Sequence, residues 1–115
     1  MKRALIETMF RAVDDEAWSR LESVYHPACV YERPGFARLQ GLAEVMRFYR
    51  QERPIRSGVH SIEDVVESER TACAVGMFDG RLKSGEDLSL RFADHYVFKD
   101  GRIAARRTFF YAPLA

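Results

Sequence analysis

The sequence is poor in most of the features that identify a protein quickly. Its 115 residues hold two cysteines, four prolines, seven glycines and one tryptophan. The two cysteines, Cys29 and Cys73, have no metal-ligand or redox spacing, and each falls within a strand-like run, so buried reduced thiols are expected. No apolar run approaches the length of a membrane span. Lys2 and Arg3 could open a signal peptide, but Glu7 interrupts the apolar stretch behind them, so none is expected. Charge of one sign is lacking too: 18 basic and 17 acidic residues give a net charge of +1. That balance offers no electrostatic footprint for nucleic acid or an anionic membrane. Repeats and low-complexity segments are absent.

What is present describes one folded domain, 1–115, with a single core. Hydrophobic residues make up 47% and aromatics 12% of the chain, too rich for disorder. Leu5, Ile6, Met9, Phe10 and Val13 recur at helical spacing. Asp14 and Asp15 offer an N-cap for a second helix carrying Trp18, Leu21 and Val24, which Pro27 ends. Residues 28–33 read as a short strand. Leu42, Val45, Met46 and Tyr49 form the stripe of a third helix, which Pro54 stops by about Arg53. Beyond it, residues 59–67, 71–82 and 88–111 read as strands of an antiparallel meander. Helices first and strands afterwards predict an α+β fold. A long sheet must curl, and helices on one side would close it into a cone-shaped barrel enclosing a ligand pocket.

The last hairpin carries the first chemical signal. Asp100-Gly101 between alternating runs is a strong turn signature. Period-two alternation puts Leu88, Leu90, Phe92, Asp94, Tyr96 and Phe98 on one face, where Asp94 is the only charge. A buried carboxylate must be paired or protonated, and apolar pockets are where such acids do chemistry. Arg106 bears on the outcome. If Ala104, Arg106, Thr108 and Phe110 face the pocket, its guanidinium keeps Asp94 ionised. If Arg107 faces inward instead, burial favours protonated Asp94. Both faces of the last strand are apolar, so the sequence leaves the register open.

Three stretches carry a family resemblance: residues 28–35 (ACVYERPG) with Gly41 after them, residues 48–51 (FYRQ), and residues 90–103 with Asp94 before an aromatic run and Gly-Arg-Ile. The chain resembles the nuclear-transport-factor-2-like superfamily, in its SnoaL-like and ketosteroid-isomerase-like branch. The resemblance implies a cone-shaped barrel of a curled antiparallel sheet wrapped around three N-terminal helices, and a homodimer through the sheet's outer face. It places Glu32 on the general base of the ketosteroid isomerases. It places Asp94 on their oxyanion donor, a carboxylic acid kept protonated by its apolar surroundings. Tyr49 falls on a supporting tyrosine. Met9 replaces the tyrosine that supplies the other oxyanion hydrogen bond, a loss of about 10²–10³ in rate. Asp14 and His60 fall near the aspartate and histidine of scytalone dehydratase, where a buried carboxylate fixes the imidazole. Val13 stands where the dehydratase has a tyrosine.

The expected activity is cofactor-free, metal-free acid/base chemistry of the isomerase, cyclase or dehydratase type on a hydrophobic carbonyl-bearing or cyclic molecule. Glu32, Asp94 and His60 are the catalytic candidates, with Asp14, Tyr49, Met77, Phe92, Tyr96, Arg106 and Phe110 around the substrate. The alternatives are a non-catalytic binding module and an epoxide hydrolase using Asp79, Arg106 and Asp94. A cytoplasmic location is expected.

Overall fold

The computed structural model describes residues 2–111, so the ends of the expected 1–115 domain lie outside the described residues. Helix α1 spans Lys2–Asp14 and buries Ile6, Met9, Phe10 and Val13, the i, i+3, i+4, i+7 face seen in the sequence. Burying each such side chain fully contributes about 1.5–3 kcal/mol. The first helix runs through Asp14, so Asp14 is not the cap of the second. Helix α2 (Trp18–Val24) starts after Ala17, which makes no side-chain cap bond. Pro27 does not end α2 either; it lies inside strand β1 (Tyr25–Glu32). A two-residue strand β2 (Leu39–Gln40) precedes α3 (Leu42–Arg47).

The third helix then changes pitch. Phe48–Glu52 form a π-helical turn, closed by the Arg53 amide donating to the Phe48 carbonyl at 2.8 Å. The extra residue in the turn lets adjacent Phe48 and Tyr49 both face the core. Pro54 disfavours helical backbone at the residue before it, and Arg53 is extended at φ −63°, ψ 127°.

Four long strands follow: β3 (Ile55–Glu67), β4 (Thr71–Leu82), β5 (Asp87–Lys99) and β6 (Arg102–Phe110). The β5–β6 hairpin turns at Asp100 and Gly101, with φ of 53° and 73°, the positive pair that a tight hairpin turn requires. All six strands make one sheet in the order β2-β1-β6-β5-β4-β3. It is a mixed sheet and does not close: β1 runs parallel to β6, while the meander is antiparallel. The three helices with this curled sheet give the expected α+β architecture. Among the described residues no helix is long and apolar enough to cross a membrane.

Two irregularities decide which side chains reach the interior. Val97 pairs with Ala105 but Phe98 with Ile103, so Ala104 is an extra residue in β6 that breaks its alternation, and Ile103 and Arg106, three apart, are both buried. A second, between Ile62 and Asp64, turns Val65 toward the core and leaves Val66 at 66% exposure. Cys29 is buried and free, as expected, whereas Cys73 is free but exposed on the outer face. The β4 residues that point inward are Ala72, Ala74 and Phe78.

Candidate functional site

Asp94 lies under the concave face, and its environment settles its partner. Arg106 reaches it with Nε 3.0 Å from Oδ2. The Tyr96 hydroxyl donates to the same oxygen at 2.6 Å. Thr108, directly across the ladder, donates to Oδ1 at 2.6 Å. The carboxylate is therefore an acceptor for three donors, one of them cationic. The register that places Arg106 inward is the one realised, and the oxyanion-donor role expected of a protonated Asp94 is not supported by this arrangement.

Arg106 extends the network. Its Nη1 donates to Tyr49 at 2.8 Å and to Tyr25 at 3.4 Å, and lies 3.6 Å from the sulfur of Met9. The ring of Tyr31 lies 4.6 Å from the guanidinium carbon. Burial works against the cation, but Asp94 and the surrounding tyrosines outweigh it, and Arg106 is held well above the usual arginine range. Burial drives all three tyrosines up, Tyr31 to about 12, so Tyr25, Tyr31 and Tyr49 keep their protons at neutral pH. Tyr49 accepts from Arg106, and its hydroxyl lies 3.3 Å from that of Tyr25, a contact in which either oxygen can donate.

His60 is the second centre. Its Nδ1 is 2.6 Å from Asp14 Oδ1, and its backbone amide donates to Asp14 Oδ2 at 2.8 Å. Asp14 thus clamps ring and backbone from the end of α1, assigning the proton to Nδ1 and leaving the Nε2 lone pair free. The imidazole stacks on Phe10 at 4.4 Å and contacts Phe78 at 4.5 Å. Burial in this aromatic box lowers its pKa below 6.5; Asp14 opposes the shift, and Arg106 and Arg53 reinforce it. His60 is neutral at pH 7.

His60, Tyr49, Arg106, Phe92 and Phe110 come together around one small cavity of about 40 Å³. Tyr31, Thr108, Arg33 and Arg53 complete its polar lining. Asp94 and Tyr96 lie beneath that lining, and Asp14 lies behind His60 beside a more open cleft.

Other expected site residues are elsewhere. Glu32 does not converge with Asp94. Tyr31 takes the inward position on β1, so Glu32 points to the outer face, where Arg107 donates to it through Nε at 3.2 Å and Nη2 at 3.1 Å. Arg107 is its cross-strand neighbour on β6. Met77 is also excluded from the cavity by parity, since its neighbour Phe78 faces inward. Asp79 is exposed and accepts a 2.7 Å bond from Ser89, so no Asp79–Arg106–Asp94 cluster assembles.

The sequence reading missed Tyr25, Thr108, Arg33 and Arg53 as site residues. Thr108 had a signal, because it shares strand parity with Arg106. Arg33 and Arg53 each precede a proline, but that marked only the ends of elements. Among the described residues no group of three or more His, Cys, Asp or Glu side chains gathers to hold a metal ion.

An open curled sheet with three helices and a polar-lined cavity between them is a nuclear-transport-factor-2-like fold. More narrowly, the chain belongs to the SnoaL-like domain family, which matches residues 6–106. No curated protein matches the sequence. Solved structures match along nearly its whole length. An NTF2-like protein of unknown function from Burkholderia pseudomallei superposes with a TM-score of 0.86 at 17% identity, covering 95% of this chain and 89% of its own. An LEH-like epoxide hydrolase from Mycobacterium tuberculosis gives 0.82 at 17% identity, covering 94% and 80%. A protein with a ketosteroid isomerase-like fold from Catenulispora acidiphila, in complex with trimethylamine, gives 0.80 at 11% identity, covering 91% and 83%. At these identities the likeness establishes the fold.

Proposed function

We propose that the protein is a cofactor-free acid/base enzyme in which His60 moves the proton. The observation that carries this reading is the 2.6 Å contact of His60 with Asp14 at the wall of a cavity also lined by Arg106 and Tyr49. Neutral His60, tautomer fixed, would take a proton from carbon next to a carbonyl through Nε2. Negative charge developing on the carbonyl oxygen would meet the Tyr49 hydroxyl, itself polarised by Arg106. Asp94 would act through Arg106, holding the guanidinium in place as a positioning residue. The reaction class is isomerisation, cyclisation or dehydration of a hydrophobic carbonyl-bearing or cyclic molecule. A homodimer through the outer sheet face, where Val75 and Phe109 are 40% and 53% exposed, and a cytoplasmic location belong to the same proposal. A monomer by light scattering at micromolar concentration would remove the dimer.

The second reading is a binding module without chemistry. Two observations favour it: Glu32 lies outside the cavity, and about 40 Å³ encloses a small head group and leaves the rest of a larger ligand at its mouth. Deuterium exchange separates the two. Cyclic ketones and keto acids incubated in D₂O with the protein should lose α-proton signal by NMR, and His60→Gln should slow that exchange about 10²–10⁴-fold. If no panel member exchanges, or if His60→Gln matches wild type, the enzymatic reading fails and the binding module stands.

A further inference from the structure

Three guanidiniums line the cavity: Arg33, Arg53 and Arg106. Arg106 has Asp94. Arg33 and Arg53 have no carboxylate: among the described residues neither joins any of the ion pairs formed. Arg53 is nonetheless buried, at 6% exposure. The buried Nε of Arg33 makes no hydrogen bond among the described residues. A cation kept from water without a partner is costly, and a fold under no other demand would replace it with a methionine or leucine.

Aromatic faces supply part of what the missing carboxylates would. The Arg33 guanidinium lies 5.1 Å from the ring centres of Phe36 and Phe48 and 5.9 Å from Phe110. Arg53 lies 6.0 Å from that of Tyr49. Such contacts hold a planar cation in place yet leave its N–H edge unsatisfied. The backbone contributes rigidity, because each arginine precedes a proline, Pro34 or Pro54, which restricts it to extended conformations. Electrostatics agree for Arg53: burial lowers its pKa, Tyr49 and Tyr31 oppose the shift, and the Arg33 and Arg106 cations add to it, so an anion placed there would relieve Arg53.

We propose that Arg33 and Arg53 bind a carboxylate group of the ligand, which makes the cavity a site for a hydrophobic carboxylic acid. Planar guanidinium edges match a planar carboxylate in geometry as well as charge. A head group of three heavy atoms suits a cavity of about 40 Å³. Phe78, Leu90, Phe92 and Ile55 on the same lining offer apolar contact to carbon next to that head group. The inference rests on the enzymatic reading only for the fate of the acid, since a keto acid anchored here would have its α-carbon near His60; the binding itself is independent of turnover.

Titration calorimetry of the whole protein with benzoate and its neutral isostere benzamide tests the site. Benzoate should bind at least ten-fold more tightly. Arg53→Met should abolish that preference while leaving the melting temperature equal to or above that of wild type, because an unpaired buried cation has been removed. Arg33→Met should weaken benzoate binding in the same direction. The proposal is overturned if wild type binds the two compounds alike. It is equally overturned if the preference survives in both variants, or if Arg53→Met melts well below wild type with the preference intact, which marks a purely structural arginine. Deuterium exchange on the same wild-type sample keeps the two ideas apart. Preference without exchange refutes catalysis alone, and exchange without preference refutes the carboxylate site alone.

Discussion

Replacing Asp94 by asparagine would remove the negative charge from beneath Arg106 while keeping the side chain's shape. Three donors converge on that carboxylate, from Tyr96, Arg106 and Thr108, at 2.6, 3.0 and 2.6 Å. An amide has one oxygen to offer them, and its own N–H₂ must face at least one donor. The side chain of Asp94 is 0% exposed and that of Arg106 is 6% exposed, so water cannot take the place of the lost charge. Breaking a buried ion pair by removing one partner costs about 3–5 kcal/mol, a large fraction of the ~5–15 kcal/mol that holds a domain together. With about 2.1 cal/mol/K per residue of unfolding entropy over 115 residues, that loss lowers the melting temperature by about 12–20 °C. Urea unfolding followed by circular dichroism measures the loss directly, and Asp94→Asn with Arg106→Gln should recover part of it by removing the stranded cation. A loss below about 1 kcal/mol for Asp94→Asn would show that Arg106 does not depend on Asp94, and the positioning role would be lost with it.

Glu32→Gln should leave deuterium exchange within about two-fold of wild type and cost about 0–1 kcal/mol, because the Glu32–Arg107 pair is exposed on the outer face; a hundred-fold loss of exchange would restore Glu32 as the base. His60 carries a pH dependence whose sign follows from its lowered pKa. The unfolded chain takes up the His60 proton near 6.5 and the folded protein only at lower pH, so the stabilising contribution is complete above 6.5 and declines as pH falls through the window below it. Exchange activity should decline at lower pH still, as folded His60 protonates. A titration of the imidazole by NMR that centres above 6.5 would contradict both. Thiol modification should distinguish the two cysteines: Cys73 is exposed and should react with Ellman's reagent at pH 8 in the native state. Cys29 is fully buried, with its thiol pushed up to about 11, and should react only on unfolding; equal rates would place Cys29 at the surface.

Much of the fold was legible because it depends on local patterns. The α1 face, the Asp100-Gly101 turn and the alternation of β5 each express one rule over a handful of residues. Asp94 was legible for the same reason, as a charge on an otherwise apolar face. What could not be read was where alternation fails. Whether Arg106 or Arg107 enters the cavity depends on a register shift at Ala104 within β6 that leaves no mark in a strand apolar on both faces. Glu32 followed the resemblance to an inward base, and the strand placed Tyr31 inward in its stead. The adjacent Phe48 and Tyr49 reach the core together only through the π-helical turn, which the stripe of a regular helix does not anticipate. The parallel pairing of β1 with β6 joins residues more than 70 apart and has no local signal at all.

The corrected positions change how the site's charges are divided. With Glu32 outside, no carboxylate among the described residues faces the cavity directly: Asp14 is turned toward His60, and Asp94 is covered by Arg106 and Thr108. Each acid is consumed in orienting a second residue, and the groups presented to the interior are a neutral imidazole, three guanidiniums and phenolic hydroxyls. Such a lining has one base and an excess of hydrogen-bond donors and positive charge. It would stabilise an anion, whether the carboxylate or the enolate of the two proposals, and would give no such support to a developing cation. That asymmetry follows from the buried partners of His60 and Arg106. On the proposed reading, a scaffold with its expected general base turned outward would keep a coherent site, with the imidazole on β3 as proton acceptor and the guanidiniums as its positive wall.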